Sequence, residues 1–322
     1  MAAEILGALW ELIAKRYEKR DKYELSDFLF ANHLFRGLDE DDVEFLSAYR
    51  EDILTLLSDD AERGILIDSM VDATRMFTWQ RNQYLALPVG TETLLTSIYD
   101  ALVVRSTHAL AFAADRTELA RSMHAVIDAH HERLHRFFSS VCPTDADGMP
   151  TGAFLRSVPC EEYTAETQLR LLALDLADMQ QPVLDLGCGS EGGLVRFLLD
   201  ADIPTVGCDR LAPHEAGFLR MDWTQAPMEE LHWGTVLAHQ SFSLHFLFHH
   251  RHQTGQEQKY AQFFMRILMS LRPGGRFCYT PGLPFFEEVL EREDTFRIRR
   301  YPHEAANSQV LRDVALAVHI QR

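Results

Sequence analysis

The chain has 322 residues, 47% hydrophobic and 25% charged, with a formal net charge of −17 and five scattered cysteines. Such a composition predicts a globular protein long enough for two domains, and its acidity weighs against a polyphosphate partner, so no nucleic acid is expected. No apolar run approaches the ~20 residues that span a bilayer, there is no basic cleavable leader, and the odd cysteine count fits neither a disulfide frame nor a zinc site, so the expectation is a cytoplasmic protein with reduced thiols and no membrane partner.

Ile5, Leu6, Leu9, Leu12, Ile13 and Tyr17 recur at helical spacing, so the chain opens on an amphipathic helix. The basic residues between Lys15 and Lys22 read as its solvated face. Asp39-x-x-Asp42 offers an acidic start to a helix with Val43, Leu46, Ile53 and Leu57 on one stripe. Further helices are expected over 60–86, 91–113 and from Asp115 to Phe138, the last opened by Asp115-x-x-Glu118. On that helix Leu119, Met123, Ile127 and Leu134 share a face with His130, which reads as a core histidine. His124, Asp128, His131 and His135 fall on another face at spacings of four, three and four, read as an exposed polar stripe although such a set can ligate a metal. From Ser139 to Pro159 the chain is rich in proline, glycine and aspartate. The expected organisation is therefore a helical domain over 1–140, a linker over 141–159 and a second domain over 160–322.

The second half begins with an expected helix from Glu161 through Leu176, which carries Tyr163 and Glu166. Pro182-Val-Leu-Asp-Leu-Gly187 then reads as a buried strand breaking into a glycine-rich turn that opens a helix. Gly187-x-Gly189-x-x-Gly192 matches a dinucleotide fingerprint, but Asp185 would repel a pyrophosphate there and favour a ligand with an ammonium and a sulfonium. Three more pieces follow in order: Thr205-Val-Gly-Cys-Asp209, Phe218-Leu-Arg-Met-Asp222-Trp223 and Leu271-Arg-Pro-Gly-Gly-Arg-Phe277. Together, over about 160–322, these resemble the class I methyltransferases that use S-adenosylmethionine (SAM).

The resemblance implies an α/β fold, a Rossmann-like seven-stranded sheet of order 3-2-1-4-5-7-6 with strand 7 antiparallel, here preceded by an all-α N-terminal domain. It implies SAM as cofactor, held by Asp185, Gly187, Cys188 and Gly189 at the turn. Asp209, followed by Arg210, would take the ribose hydroxyls, Asp222 the adenine amino group, Trp223 the ring face, and His239 would stand at the end of the fourth strand. Three departures are visible. Glu191 stands where the family has glycine, with the third glycine displaced to Gly192 or Gly193; Gly234-Thr235 opens the fourth strand where an acid is common; and the Asn/Asp-Pro-Pro-aromatic signature of base methylation is missing.

After the fourth strand, five histidines fall between His239 and His252, with His245 and His249 on one helical face. An imidazole titrates near neutrality and can take the acceptor's proton, so His245 and His249, with Tyr163, are the expected catalytic residues, and no metal is called for. Tyr279 to Phe286 reads as a loop that either walls the acceptor pocket or serves packing alone, and 296–301 with 314–320 as a closing hairpin. The sequence thus points to methyl transfer from SAM to an oxygen or nitrogen of a small-molecule acceptor. An NAD-dependent oxidoreductase and a non-catalytic binding protein are the alternatives. The helical domain is expected to cover the acceptor, to form a homodimer, or both.

Overall fold

The protein is described by a computed structural model that covers residues 2–20, 38–85, 87, 90–141, 156–158, 162–229, 232–302 and 316–322. Lys22, Cys142, Cys160, Glu161, most of the expected linker and the start of the expected last strand lie outside the described residues, as do the side chains of Arg16, Lys19 and Arg20. The chain divides into two compact units, Met1–Cys160 and Glu161–Arg322.

The first unit is helical: α1 (Ala2–Arg20), α2 (Glu40–Ala48), α3 (Arg50–Ser58), α4 (Asp60–Arg81), α5 (Thr91–Phe112) and α6 (Arg116–Val141). The stripe expected on one helix after Asp39 is carried by two, because the chain breaks at Tyr49 (φ −103°, ψ 22°). Arg50, the first residue of α3, reaches a neighbouring helix just after the break. Its guanidinium donates to Ala113 O (2.9 Å) and Ala111 O (2.6 Å), placing a cation on the carbonyl end of α5. The acidic signals act as caps: Glu118 N donates to Asp115 Oδ1 (2.8 Å) while Ala114 N donates to Glu118 Oε2 (2.8 Å). His130 is buried as expected, but so is His131, so the second face of α6 is not a uniform polar stripe. Among the described residues no group of His, Cys, Asp and Glu is arranged to hold a metal ion. At the far end of α4, Val158 N donates to Arg81 O (2.7 Å) and Asn82 Nδ2 to Arg156 O (3.1 Å), so residues 156–158 fold back onto the helical unit.

In the second unit, β1 (Val183–Leu186), β2 (Thr205–Asp209), β3 (Phe218–Arg220), β4 (Trp233–His239), β5 (Leu271–Thr280), β6 (Arg297–Tyr301) and β7 (Ala317–Gln321) form one sheet of order β3-β2-β1-β4-β5-β7-β6. The first five run parallel, and β7 lies antiparallel between β5 and β6. Helices α7 (Ala165–Leu171), α8 (Gly193–Asp200), α9 (Phe242–Arg251), α10 (Glu257–Ser270) and α11 (Pro284–Leu290) complete it.

Strand alternation distributes the core between the two faces. Leu184, Leu186, Val236 and Phe277 pack with the aromatic rings of α9, α10 and α11, whereas Val183, Leu237 and Cys278 pack with α7 and α8. Each large apolar side chain buried this way contributes ~1.5–3 kcal/mol. The Gly-Thr start of β4 has a structural cause: a Cβ at Gly234 would lie 2.3 Å from Gln180 O, and Thr235 Oγ1 accepts from Gln180 N (3.0 Å). Helix α7 is shorter than expected. Ala173 turns left-handed (φ 51°), and His319 Nε2 of β7 sits 2.7 Å from Leu172 O at the point where the helix stops.

Candidate functional site

Strand order reverses between β1 and β4, and the carboxyl ends of the strands at such a point form a crevice where open α/β sheets bind ligands. Beyond Leu186 the chain turns through Gly187 (φ 80°), Gly189 (φ 76°) and Gly192 (φ 60°) before α8 starts. Gly187 answers two demands, since its φ is left-handed and a Cβ would stand 2.4 Å from Ser241 Cβ. Ser241 in turn donates its Oγ to Leu186 O (2.5 Å), tying the tips of β1 and β4 together. The third glycine of the turn is Gly192. Glu191 is exposed, and its N–H donates to Glu162 Oε1 (2.9 Å).

Carboxylates gather around the turn. Asp185 is 1% exposed, and its Oδ2 has no hydrogen-bond partner among the described residues. Burial, reinforced by the charge of Asp209, pushes its pKa up to about 7. Asp209, at the end of β2, accepts from Leu211 N (2.8 Å) and Gly189 N (3.4 Å), and burial raises it as well, with Glu162 adding to the rise. Cys188 is buried below the turn, where desolvation and Asp185 push its thiol far up, so it serves as packing and not as a nucleophile. Asp222 is also desolvated, yet Lys259 Nζ (3.2 Å from Oδ2) and Thr224 hold it below the usual range. Its Oδ1 caps a short 3-10 turn by accepting from Thr224 N (2.9 Å). Arg210 lies close enough for its charge to act on Asp222, His245 and His249.

The residues after β4 are arranged differently from the sequence expectation. His245 is buried, with Nδ1 3.2 Å from Tyr260 Oη and its ring 5.2 Å from that of Trp223. His249 is buried as well, with Nδ1 2.8 Å from Thr254 Oγ1 and its ring stacked 5.2 Å from Tyr260. Desolvation lowers both, His249 to about 4. Trp223 is 4% exposed and sits among Phe242, Tyr260 and Phe263. All three belong to the aromatic core between α9, α10 and the sheet.

His239 stands at the end of β4 with Nε2 enclosed and lacking a hydrogen-bond partner among the described residues, and burial lowers its pKa to about 4. The Tyr163 ring meets it edge-on at 5.3 Å, whereas Glu166 is exposed on the first turn of α7. The next residue, Gln240, is left-handed (φ 54°) without being glycine, a conformation that costs energy and clusters at ligand sites. Sequence reasoning missed Gln240, Ser241, Glu162 and Lys259. None of them carries a local signal, because each is defined by a neighbour distant in the chain.

An all-parallel dinucleotide sheet has no strand like β7, which enters antiparallel between β5 and β6. The fold is that of the class I methyltransferases. No family model matches the chain, and no curated protein does. Among solved structures, the chain is similar to a SAM-dependent methyltransferase from Aquifex aeolicus (11% identity, 50% of this chain and 99% of that one, TM-score 0.27). It is also similar to the 16S rRNA methylase RmtB (16% identity, 84% and 97% covered, TM-score 0.28). A third is the type I restriction-modification methyltransferase subunit from Streptococcus thermophilus (14% identity, 100% and 84% covered, TM-score 0.29). These likenesses are of fold. The structures matched include an rRNA methylase and a restriction-modification subunit, which corrects the expectation of a small-molecule acceptor with nucleic acid excluded. Among the described residues no helix is long and apolar enough to cross a membrane.

Proposed function

We propose that this protein binds SAM at the β1 turn and transfers its methyl group to an oxygen or nitrogen nucleophile. The observation that carries the reading is Asp185, a buried carboxylate with an orphaned oxygen and a pKa of about 7, beside a second raised carboxylate, Asp209. Such a pair is relieved by a cationic ligand and aggravated by a phosphate, so the residues present fit SAM and oppose NAD.

Bound SAM would supply an electrophilic methyl carbon: the acceptor's lone pair forms the new bond as the carbon–sulfur bond breaks, its electron pair staying on sulfur. Asp209 has lone pairs left for ribose hydroxyls beyond the two backbone donors it already serves. Asp222 would take the adenine amino group through a lone pair not committed to Thr224 or Lys259. Beyond the donor, Tyr163 and His239 are the best-placed groups to meet the acceptor. His239 is neutral at physiological pH and so acts by hydrogen bonding, orienting a nucleophile that gives up its proton to solvent.

Calorimetric titration with SAM and with NADH tests the donor assignment; SAM binding without NADH binding is expected, and the converse would overturn it. Incubation with methyl-tritiated SAM and separate pools of ribosomal RNA, DNA and metabolites then identifies the acceptor. Absence of S-adenosylhomocysteine production with every pool would favour a non-catalytic binding protein.

A further inference from the structure

In a phosphate-binding turn, backbone N–H groups at the start of a helix point outward at the anion. Here the polar hydrogens of the turn that leads into α8 are already taken by the protein itself. Glu191 N and Ser190 Oγ both donate to Glu162 Oε1, each at 2.9 Å, and Gly189 N points to Asp209 Oδ2 at 3.4 Å. The Glu162 carboxylate also fills the space over Gly189, because a Cβ there would stand 2.7 Å from Oε1. Gly189 is therefore a glycine that admits a side chain of this chain, and not one that admits a ligand's phosphate.

Local tethering fixes Glu162 in place. Two residues on, Thr164 caps α7 by accepting from Thr167 N (3.3 Å), and Gln168 Nε2 donates to Tyr163 O (2.9 Å). Glu162 is exposed beside the turn. Its charge raises Asp209, and the charge of Asp209 raises Asp185, the enclosed carboxylate whose Oδ2 lacks a partner. Acids thus run in series from the mouth of the turn to its floor, an arrangement that calls for a cation.

We infer that Glu162 sets the ligand class of this turn, filling the anion position from within and holding the ammonium of the donor's amino-acid end. The inference rests on the SAM reading above and adds to it the residue that selects between an amino-acid end and a phosphate.

Glu162→Gln keeps the shape and a carbonyl oxygen to accept from Glu191 N while removing the charge. The test titrates wild type and variant with S-adenosylhomocysteine, which carries the ammonium, and with 5′-methylthioadenosine, which has the same nucleoside without the amino-acid end. The expected result is at least tenfold weaker S-adenosylhomocysteine binding, with 5′-methylthioadenosine changed less than twofold and an unaltered melting temperature. Equal weakening of both ligands would make Glu162 a loop pin only and would overturn the inference, as would unchanged S-adenosylhomocysteine binding. Wild type binding neither ligand would instead remove the SAM reading on which it stands.

Discussion

Replacing Asp185 by Asn tests the electrostatics of the donor site, because it deletes a charge and keeps the shape. The rise of the Asp185 pKa from 3.8 to about 7 means that its ionisation in the ligand-free fold costs about 4 kcal/mol, at ~1.4 kcal/mol per pH unit. Because the folded pKa is the higher one, the folded chain binds more protons between pH 4 and 7, and wild-type stability falls as pH rises through that window. Asn has no such penalty. Urea melts should therefore show the advantage of Asp185→Asn growing by up to about 4 kcal/mol from pH 4 to pH 8. Ligand binding should move the other way. A carboxylate ~6 Å from a cation at an effective dielectric of ~20 is worth ~3 kcal/mol, so SAM should bind the variant roughly 100-fold more weakly at pH 8. Wild-type affinity should climb with pH up to about 7 as Asp185 ionises, and variant affinity should stay flat. Undiminished SAM affinity at pH 8, or a destabilised variant at that pH, would refute the reasoning.

His239→Gln should leave SAM affinity within about threefold and slow methyl transfer at least tenfold, while His245→Gln should lower the urea midpoint through its lost packing against Trp223 and Tyr260; a larger transfer defect in stable His245→Gln would reverse the two roles. Gly187→Ala forces a Cβ against Ser241 and a left-handed alanine, which should cost at least ~2 kcal/mol in a urea melt and abolish SAM binding in titration. Glu287, 1% exposed, accepts from Leu283 N (2.6 Å), Tyr279 Oη (3.2 Å) and Arg300 Nε (2.6 Å). Glu287→Leu strands these donors, and because Arg300 is 38% exposed the expected loss in the same measurement is about 2–3 kcal/mol.

Much of the fold was legible because it is written in local periodicity. The buried run Val183–Leu186 and the capping pair Asp115 and Glu118 came from pattern, whereas Thr205–Asp209 was placed as the second strand with the help of the family resemblance. The break at Tyr49 and the early stop of α7 were not legible, and the contacts made beside them, Arg50 to α5 and His319 to Leu172, span 61 and 147 residues. The histidines after β4 show the limit most clearly. Their spacing put His245 and His249 on one face, and that face turned inward onto Tyr260 and Trp223.

The sequence by itself determined the glycine turn and the acids near it, because backbone conformation and charge belong to residues individually, while the order of the sheet was what the family resemblance implied. Only the tertiary structure decided which polar groups face the cleft. Glu162 lies 29 residues from Glu191 yet holds its N–H, and His239 owes its enclosure and its low pKa to the chain packed around it. Desolvation is a property of surroundings, and the surroundings of a residue exist only once the chain has folded.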